Sequence, residues 1–271
     1  MATGHPTKGC TRIADPLRGP APGSPSVRFR PMTNSNSQYV SPWLIHWTAR
    51  TGGDEVGLAN LTAIVETGML KLSDNRIIKT YFSIGVKTRM VCFTDVPLQF
   101  SAKHCARYGR FGIAFSKRRL ILKGAQPVFY VALGCRENVK HILNFLLSPP
   151  PNSHIPERTL AALEEHFCFV QEFSEGSIDA EDAYYYEREW RLALPTLAPE
   201  DLWQLDNARY SIKKAGYPAS CGKLVVRDGE HYFAFDDEDV SFLVCPEAYA
   251  SRVQNTRGYE LRLFEKMVTQ D

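Results

Sequence analysis

The 271-residue chain lacks most of the short signatures that announce a chemistry. There is no G-x-G-x-x-G and no Walker A sequence, which disfavours a Rossmann dehydrogenase and a P-loop ATPase. There is no C-x-x-C pair, which argues against a structural zinc site, and no H-E-x-x-H spacing for a catalytic one. The seven cysteines (Cys10, Cys92, Cys105, Cys135, Cys168, Cys221 and Cys245) are odd in number and irregularly spaced. They do not form a disulfide framework, and a reducing cytoplasm is the simplest home. No uncharged apolar run reaches the ~18 residues of a membrane-spanning helix. Net charge is only +2, too near neutral to imply nucleic acid by itself.

Residues 1–40 differ from the rest. They hold six of the 17 prolines, with Gly and Ser between them, and no apolar periodicity. Lys8, Arg12, Arg18, Arg28 and Arg30 stand against Asp15 there, so the segment carries +4 and the remainder −2. Such a segment cannot offset its ordering entropy by burial, which predicts a disordered tail. It has no apolar core for a secretory signal. A start at Met32 would remove most of it. A single domain is expected over 41–271.

From Pro42 the pattern becomes dense. Trp43 to Thr48 reads as a strand. Leu58, Leu61, Ile64 and Val65 share one face of a helix from about Leu58, with Gly68 as its C-cap. Met90–Thr94 reads as a strand, Ser101–Tyr108 as a helix stopped by Gly109, and Phe111–Phe115 and Pro127–Leu133 as strands. Two helices are expected at 137–147 and 156–170, separated by Ser148-Pro149-Pro150-Pro151. Tyr184–Leu192 reads as a strand. Lys223–Val226 and Tyr232–Phe235 flank Asp228-Gly229, a hairpin signal. Asp239–Val244 is a strand, Pro246 opens a helix running to Gln254, and Leu261–Phe264 is a last strand. The fold class is α+β, with one or two twisted, largely antiparallel sheets and flanking helices.

Four places could carry chemistry. In His46-Trp47-Thr48, strand alternation puts His46 and Thr48 on one face, where they could bond a ribose or an amide. The alternative is a strand-end histidine satisfied by a neighbour. In Glu187-Arg188-Glu189-Trp190-Arg191, alternation aims Glu187, Glu189 and Arg191 one way. Two carboxylates about 7 Å apart on one strand repel unless a cation lies between them. They could stabilise a sugar cation or activate a hydroxyl, or form an ion-pair ladder on a solvated edge. His104 and Cys105 are neighbours on a helix and do not face each other, which argues against a Cys nucleophile. Ligation of a metal by His46, His104 and a glutamate has no supporting spacing, and no metal is expected. The basic run Lys117-Arg118-Arg119, with Lys123, could meet nucleic-acid phosphates or form a solvated loop.

The order of these blocks resembles the AbiGi family. The residues that carry the likeness are Ile45-His46-Trp47-Thr48, the helix ending in Gly68, and Val91-Cys92-Phe93-Thr94-Asp95-Val96-Pro97-Leu98. They continue with His104, Tyr108-Gly109, Phe111 to Lys117, Pro127 to Val131, and Tyr186-Glu187-Arg188-Glu189-Trp190-Arg191. That family is associated with bacterial abortive phage resistance and toxin–antitoxin systems. The resemblance implies a defence protein whose partner is a toxin or a phage or host target, with no membrane role. The same order is more loosely similar to ADP-ribosyltransferase-like folds such as DarT. That similarity implies NAD as cofactor, held by His46 and Thr48, with Tyr81 or Phe93 stacked on nicotinamide and Arg191 at the site. Glu189 would stabilise the cation formed as nicotinamide leaves, and Glu187 would orient or deprotonate the acceptor. A non-enzymatic antitoxin or regulatory binding protein is the alternative.

Overall fold

The computed structural model describes residues 40–50, 52–78, 86–131, 141, 166, 168–172, 187–194, 198–199 and 222–268. All of them lie within one unit, Asn36–Asp271. The expected disordered tail except Val40, the helix at 137–147 except residue 141, most of the helix at 156–170, Tyr81, and residues 184–186 of the strand expected at 184–192 lie outside the described residues.

A broad sheet organises the chain. Its spatial order is β14 (Leu261–Leu263), β13 (Val240–Cys245), β5 (Gly112–Ser116), β1 (Trp43–Trp47), β4 (Val86–Thr94), β9 (Glu189–Ala193) and β6 (Gln126–Pro127), with β3 (Ser73–Ile78) also paired to β4. Every pairing is antiparallel except β13 with β14. A second sheet runs β10 (Ala198–Pro199), β11 (Lys223–Arg227), β12 (Glu230–Ala234) and β2 (Met69–Lys71). A short parallel pair joins β7 (Phe129–Val131) to β8 (Val170–Glu172). The mixed, mainly antiparallel α+β class is as the sequence implies.

Alternation along the strands divides the core in two. On one face Leu44, Phe93, Ile113, Phe115, Leu192 and Leu243 pack against α1 (Gly53–Thr67) and the second sheet, through Leu61, Val65, Leu70 and Phe233. On the other, Ile45, Trp47, Ala114, Phe242 and Val244 meet Leu98, Cys105 of α2 (Ala102–Tyr108), and Phe264 of the last short helix, α3 (Phe264–Met267). Fully buried side chains such as Leu61 and Phe242 each contribute about 1.5–3 kcal/mol.

Several boundaries differ from the sequence reading. Helix α1 starts five residues before Leu58, because its exposed first turn carries Asp54 and Glu55, which suit a helix N-terminus but show no apolar period. It ends as expected at Gly68, in the left-handed region at φ 69°. The run Pro127–Leu133 splits, since β6 joins the broad sheet and β7 pairs with β8. Residue 170 opens β8 and does not end a helix. Glu247–Arg252 forms 3-10 turns where an α-helix was expected. The Asp228-Gly229 hairpin is present, with both residues at positive φ.

The largest difference is at 187–192, the described part of the strand expected over Tyr184–Leu192. The strand begins only at Glu189, while Arg188 adopts φ 45° and Glu187 lies in a turn. The partner strand explains this. Strand β4 ends at Thr94, whose register partner is Glu189, so no ladder exists beyond it. Asp95 then takes Arg188 out of line, with Nε 2.5 Å from Oδ1 and the Asp95 N–H donating to the Arg188 carbonyl.

Candidate functional site

The cross-strand rows decide which predicted residues meet. Ile45 pairs with Thr94, and Thr94 with Glu189, so these share a face with Trp47, Cys92 and Arg191. His46 lies on the opposite face, with its ring 6.0 Å from Phe93 and its Nδ1 donating to the Cys92 carbonyl at 2.9 Å. Thr48 is on the α1 side too, donating to the carbonyls of Gly57 (3.0 Å) and Phe111 (3.2 Å). The thickness of the sheet therefore separates His46, Thr48 and Phe93 from Glu187, Glu189 and Arg191. As one NAD-binding set, these residues do not converge.

Glu189 and Arg191 are both buried. The Arg191 Nε and Nη2 donate to the two Glu189 carboxylate oxygens, each at 3.0 Å. The remaining Arg191 donors go to the Cys168 carbonyl (3.0 Å), the Val170 carbonyl (3.5 Å) and Gln171 Oε1 (2.9 Å). Burial works against the Arg191 charge, but the Glu189 carboxylate outweighs it and holds the guanidinium above its ordinary pKa. The negative charge of Glu189 is thus matched inside the protein.

Glu187 sits in a different environment. Its Oε1 accepts from Arg107 Nη1 (2.7 Å) and from the Tyr108 hydroxyl (2.8 Å). Its carbonyl accepts from Thr94 Oγ1 at 2.6 Å. Burial raises its pKa, and the nearby Glu189 charge adds to that, against the pull of Tyr108, Arg107 and Arg50. The Glu189 charge is felt at Glu187, but the strand alternation expected to align the two carboxylates is absent, because the strand starts at Glu189. A half-desolvated carboxyl of this kind can hold or release a proton.

Around it stands an aromatic and cationic group. His104 stacks on Tyr108 with centroids 4.6 Å apart, and Trp47 lies 6.4 Å from His104. Arg50 and Arg107 each lie 5.5 Å from the Tyr108 ring centroid. Burial pushes His104 down to about 4, so it is neutral at pH 7. Burial pushes the Tyr108 hydroxyl up, as do the Glu187 charge and hydrogen bond. The Cys105 thiol is also pushed up by burial, the reverse of what a nucleophile needs. Tyr108 and Arg107 were not singled out as site residues. The i, i+4 spacing of His104 and Tyr108 on a helix was the signal that could have found Tyr108.

The basic run is largely consumed within the fold. Lys117 pairs with Asp95 at 2.8 Å and lies over Trp190, Arg119 pairs with Asp239 at 2.7 Å, and Lys123 with Asp236 at 3.0 Å. Arg118 remains exposed. Among the described residues, no group of three or more His, Cys, Asp or Glu side chains could hold a metal ion. No helix among them is long and apolar enough to cross a membrane.

Residues 65–202 match the family model described as "Putative abortive phage resistance protein AbiGi, antitoxin". The match covers 138 of the 271 residues. It contains His104, Tyr108, Glu187, Glu189 and Arg191, but neither His46 nor Thr48. No curated protein and no solved structure matches the chain, so the looser ADP-ribosyltransferase resemblance gains no support from them.

Proposed function

The chain belongs to the AbiGi family, and from that premise we propose that it acts in bacterial abortive phage resistance as an antitoxin, restraining a partner toxin by binding it. One observation favours this over an NAD-dependent ADP-ribosyltransferase. The carboxylate expected to stabilise the sugar cation, Glu189, already forms a two-point pair with Arg191. A neutralised carboxylate offers little field to a developing positive charge. The side chains expected to hold the nicotinamide end, His46 and Thr48, belong to the other face.

A second reading keeps an enzyme and gives the reacting carboxylate to Glu187. Its raised pKa and its bond to Tyr108 favour that reading.

Two experiments separate them. The gene neighbouring this one is expressed alone and together with it, and growth is followed. Under the antitoxin reading the chain relieves growth arrest, and Glu187→Gln relieves it equally. Purified protein is also titrated with NAD by calorimetry while nicotinamide release is recorded. Release that is lost in Glu187→Gln would move the conclusion to the enzyme.

A further inference from the structure

One stretch of surface has a composition that folding does not require. Phe100 ends the 3-10 turn leading into α2 and is 52% exposed, although Leu98 in the same turn is buried. Lys103 and Arg107 follow one turn apart on the exposed side of α2. Arg50, just after β1, is exposed and reaches the Tyr108 ring from which Arg107 also stands 5.5 Å away. Arg107 is engaged with Glu187. Arg50 makes no close ion pair among the described residues; its charge is felt by Glu187 but rests on the Tyr108 ring.

Aromatic residues and arginines that cluster at a partly desolvated surface are the composition of protein interfaces, where they supply most of the binding energy. We propose that Phe100, Lys103, Arg107 and Arg50 form a docking surface for an acidic segment of a protein partner. Carboxylates of that segment pair with Arg50 and Arg107, and an apolar side chain covers Phe100. This rests on the antitoxin reading and names the chemistry of the partner.

Charge argues for protein over nucleic acid. Polyphosphate binding draws on many cations at once. Here Lys117, Arg119 and Lys123 are tied to Asp95, Asp239 and Asp236, and the chain beyond residue 40 sums to −2. A few fixed cations beside an exposed ring suit a short acidic stretch with an apolar anchor.

The test selects short random peptides by display on the purified full-length protein. The best binders are then measured by calorimetry against the wild type, Arg50→Glu, and Val226→Glu on the distant β11. The selected peptides are expected to carry Asp or Glu beside an apolar residue. Arg50→Glu should weaken them by about tenfold or more, and Val226→Glu should leave them unchanged. Recovery of no binders, of neutral or basic binders, or of binders indifferent to Arg50→Glu overturns the proposal. So does equal competition by a single-stranded oligonucleotide of matched charge, which would make the surface a phosphate site. Growth rescue distinguishes the two failures. Rescue by the wild type that survives in Arg50→Glu rejects this surface and keeps the antitoxin. Absence of rescue by the wild type rejects the antitoxin, whatever the peptides do.

Discussion

Glu189 and Arg191, two residues apart on one strand, close a fork in which Nε and Nη2 each lie 3.0 Å from a carboxylate oxygen. The pair is buried, and three further acceptors complete the guanidinium. Neighbours of this spacing project from the same face of a strand, so the backbone itself brings them together.

Removing one partner leaves the other charged and enclosed. Arg191→Met is expected to destabilise the protein by about 3–5 kcal/mol. Glu189→Gln should also lower stability, since it keeps the volume but leaves the Arg191 charge unmatched. The double change to Met at both positions should cost less than the sum of the two single changes to Met. Urea denaturation of all four proteins measures this. Additive losses would mean that the fork is not a coupled pair.

Arg188 holds φ 45° between these carboxylates, a region where a side chain costs about 1 kcal/mol or more. Arg188→Gly and Arg188→Ala both lose the contact with Asp95, but only Gly relaxes the backbone. Arg188→Gly is expected to be the more stable of the two by about 1 kcal/mol. Thermal melts of both variants decide it, and an alanine variant at least as stable would reject the strain.

Acid should loosen the fold through its histidines. Burial holds His104 at about 4 and lowers His46. Below about pH 6.5 the unfolded chain takes up protons that the folded chain refuses. Their contribution is whole above that pH and is lost as pH falls toward 4. Glu187, raised by burial, acts in the opposite sense. Its contribution is present below about pH 4.5 and is lost as pH rises through the folded value. Two histidines against one carboxyl should lower the unfolding free energy between pH 7 and pH 5, by at most about 1.4 kcal/mol per pH unit for each histidine, and the melting temperature with it. His104→Gln should flatten that slope; an unchanged slope would assign it elsewhere.

Much of this architecture was legible because local chemistry set it. Gly68 ends α1, Gly109 ends α2, and Asp228-Gly229 turns the β11–β12 hairpin, each where the residue type alone demanded it. The site was less legible because it depends on contacts far apart in sequence. The turn at Arg188 is imposed by Asp95, just past the end of β4 and far away in sequence. The separation of His46 from Glu189 follows from the registers of β1 with β4 and of β4 with β9, which no local pattern specifies. The basic run reads as a phosphate site until Asp95, Asp236 and Asp239 fold against it.

Gly57 lies inside α1, where alanine is ordinarily the better helix former. A Cβ there would lie 2.7 Å from Phe111 Cδ2 and 2.8 Å from the Ala49 Cβ. The Gly57 carbonyl accepts from the Thr48 hydroxyl at 3.0 Å. Gly57→Ala is therefore expected to cost about 1–3 kcal/mol, against the propensity gain. Chemical denaturation measures it, and a stabilised variant would show that α1 can withdraw from β1 at little cost.

Trp47 is 7% exposed, yet its Nε1 has no hydrogen-bond partner among the described residues. The benzo edge of the indole rests on Gly112, where a Cβ would lie 2.8 Å from Cε3. A buried donor without an acceptor costs about 1–3 kcal/mol, which the packing of the large ring must exceed. Trp47→Phe removes the donor and keeps an aromatic ring against Ile45 and Phe242. It is expected to stay within about 1 kcal/mol of the wild type, because the relieved donor offsets the lost volume. Trp47→Ala removes both and should cost about 3–5 kcal/mol. If Trp47→Phe proved as damaging as Trp47→Ala, the indole N–H would be making a bond in solution that offsets its burial.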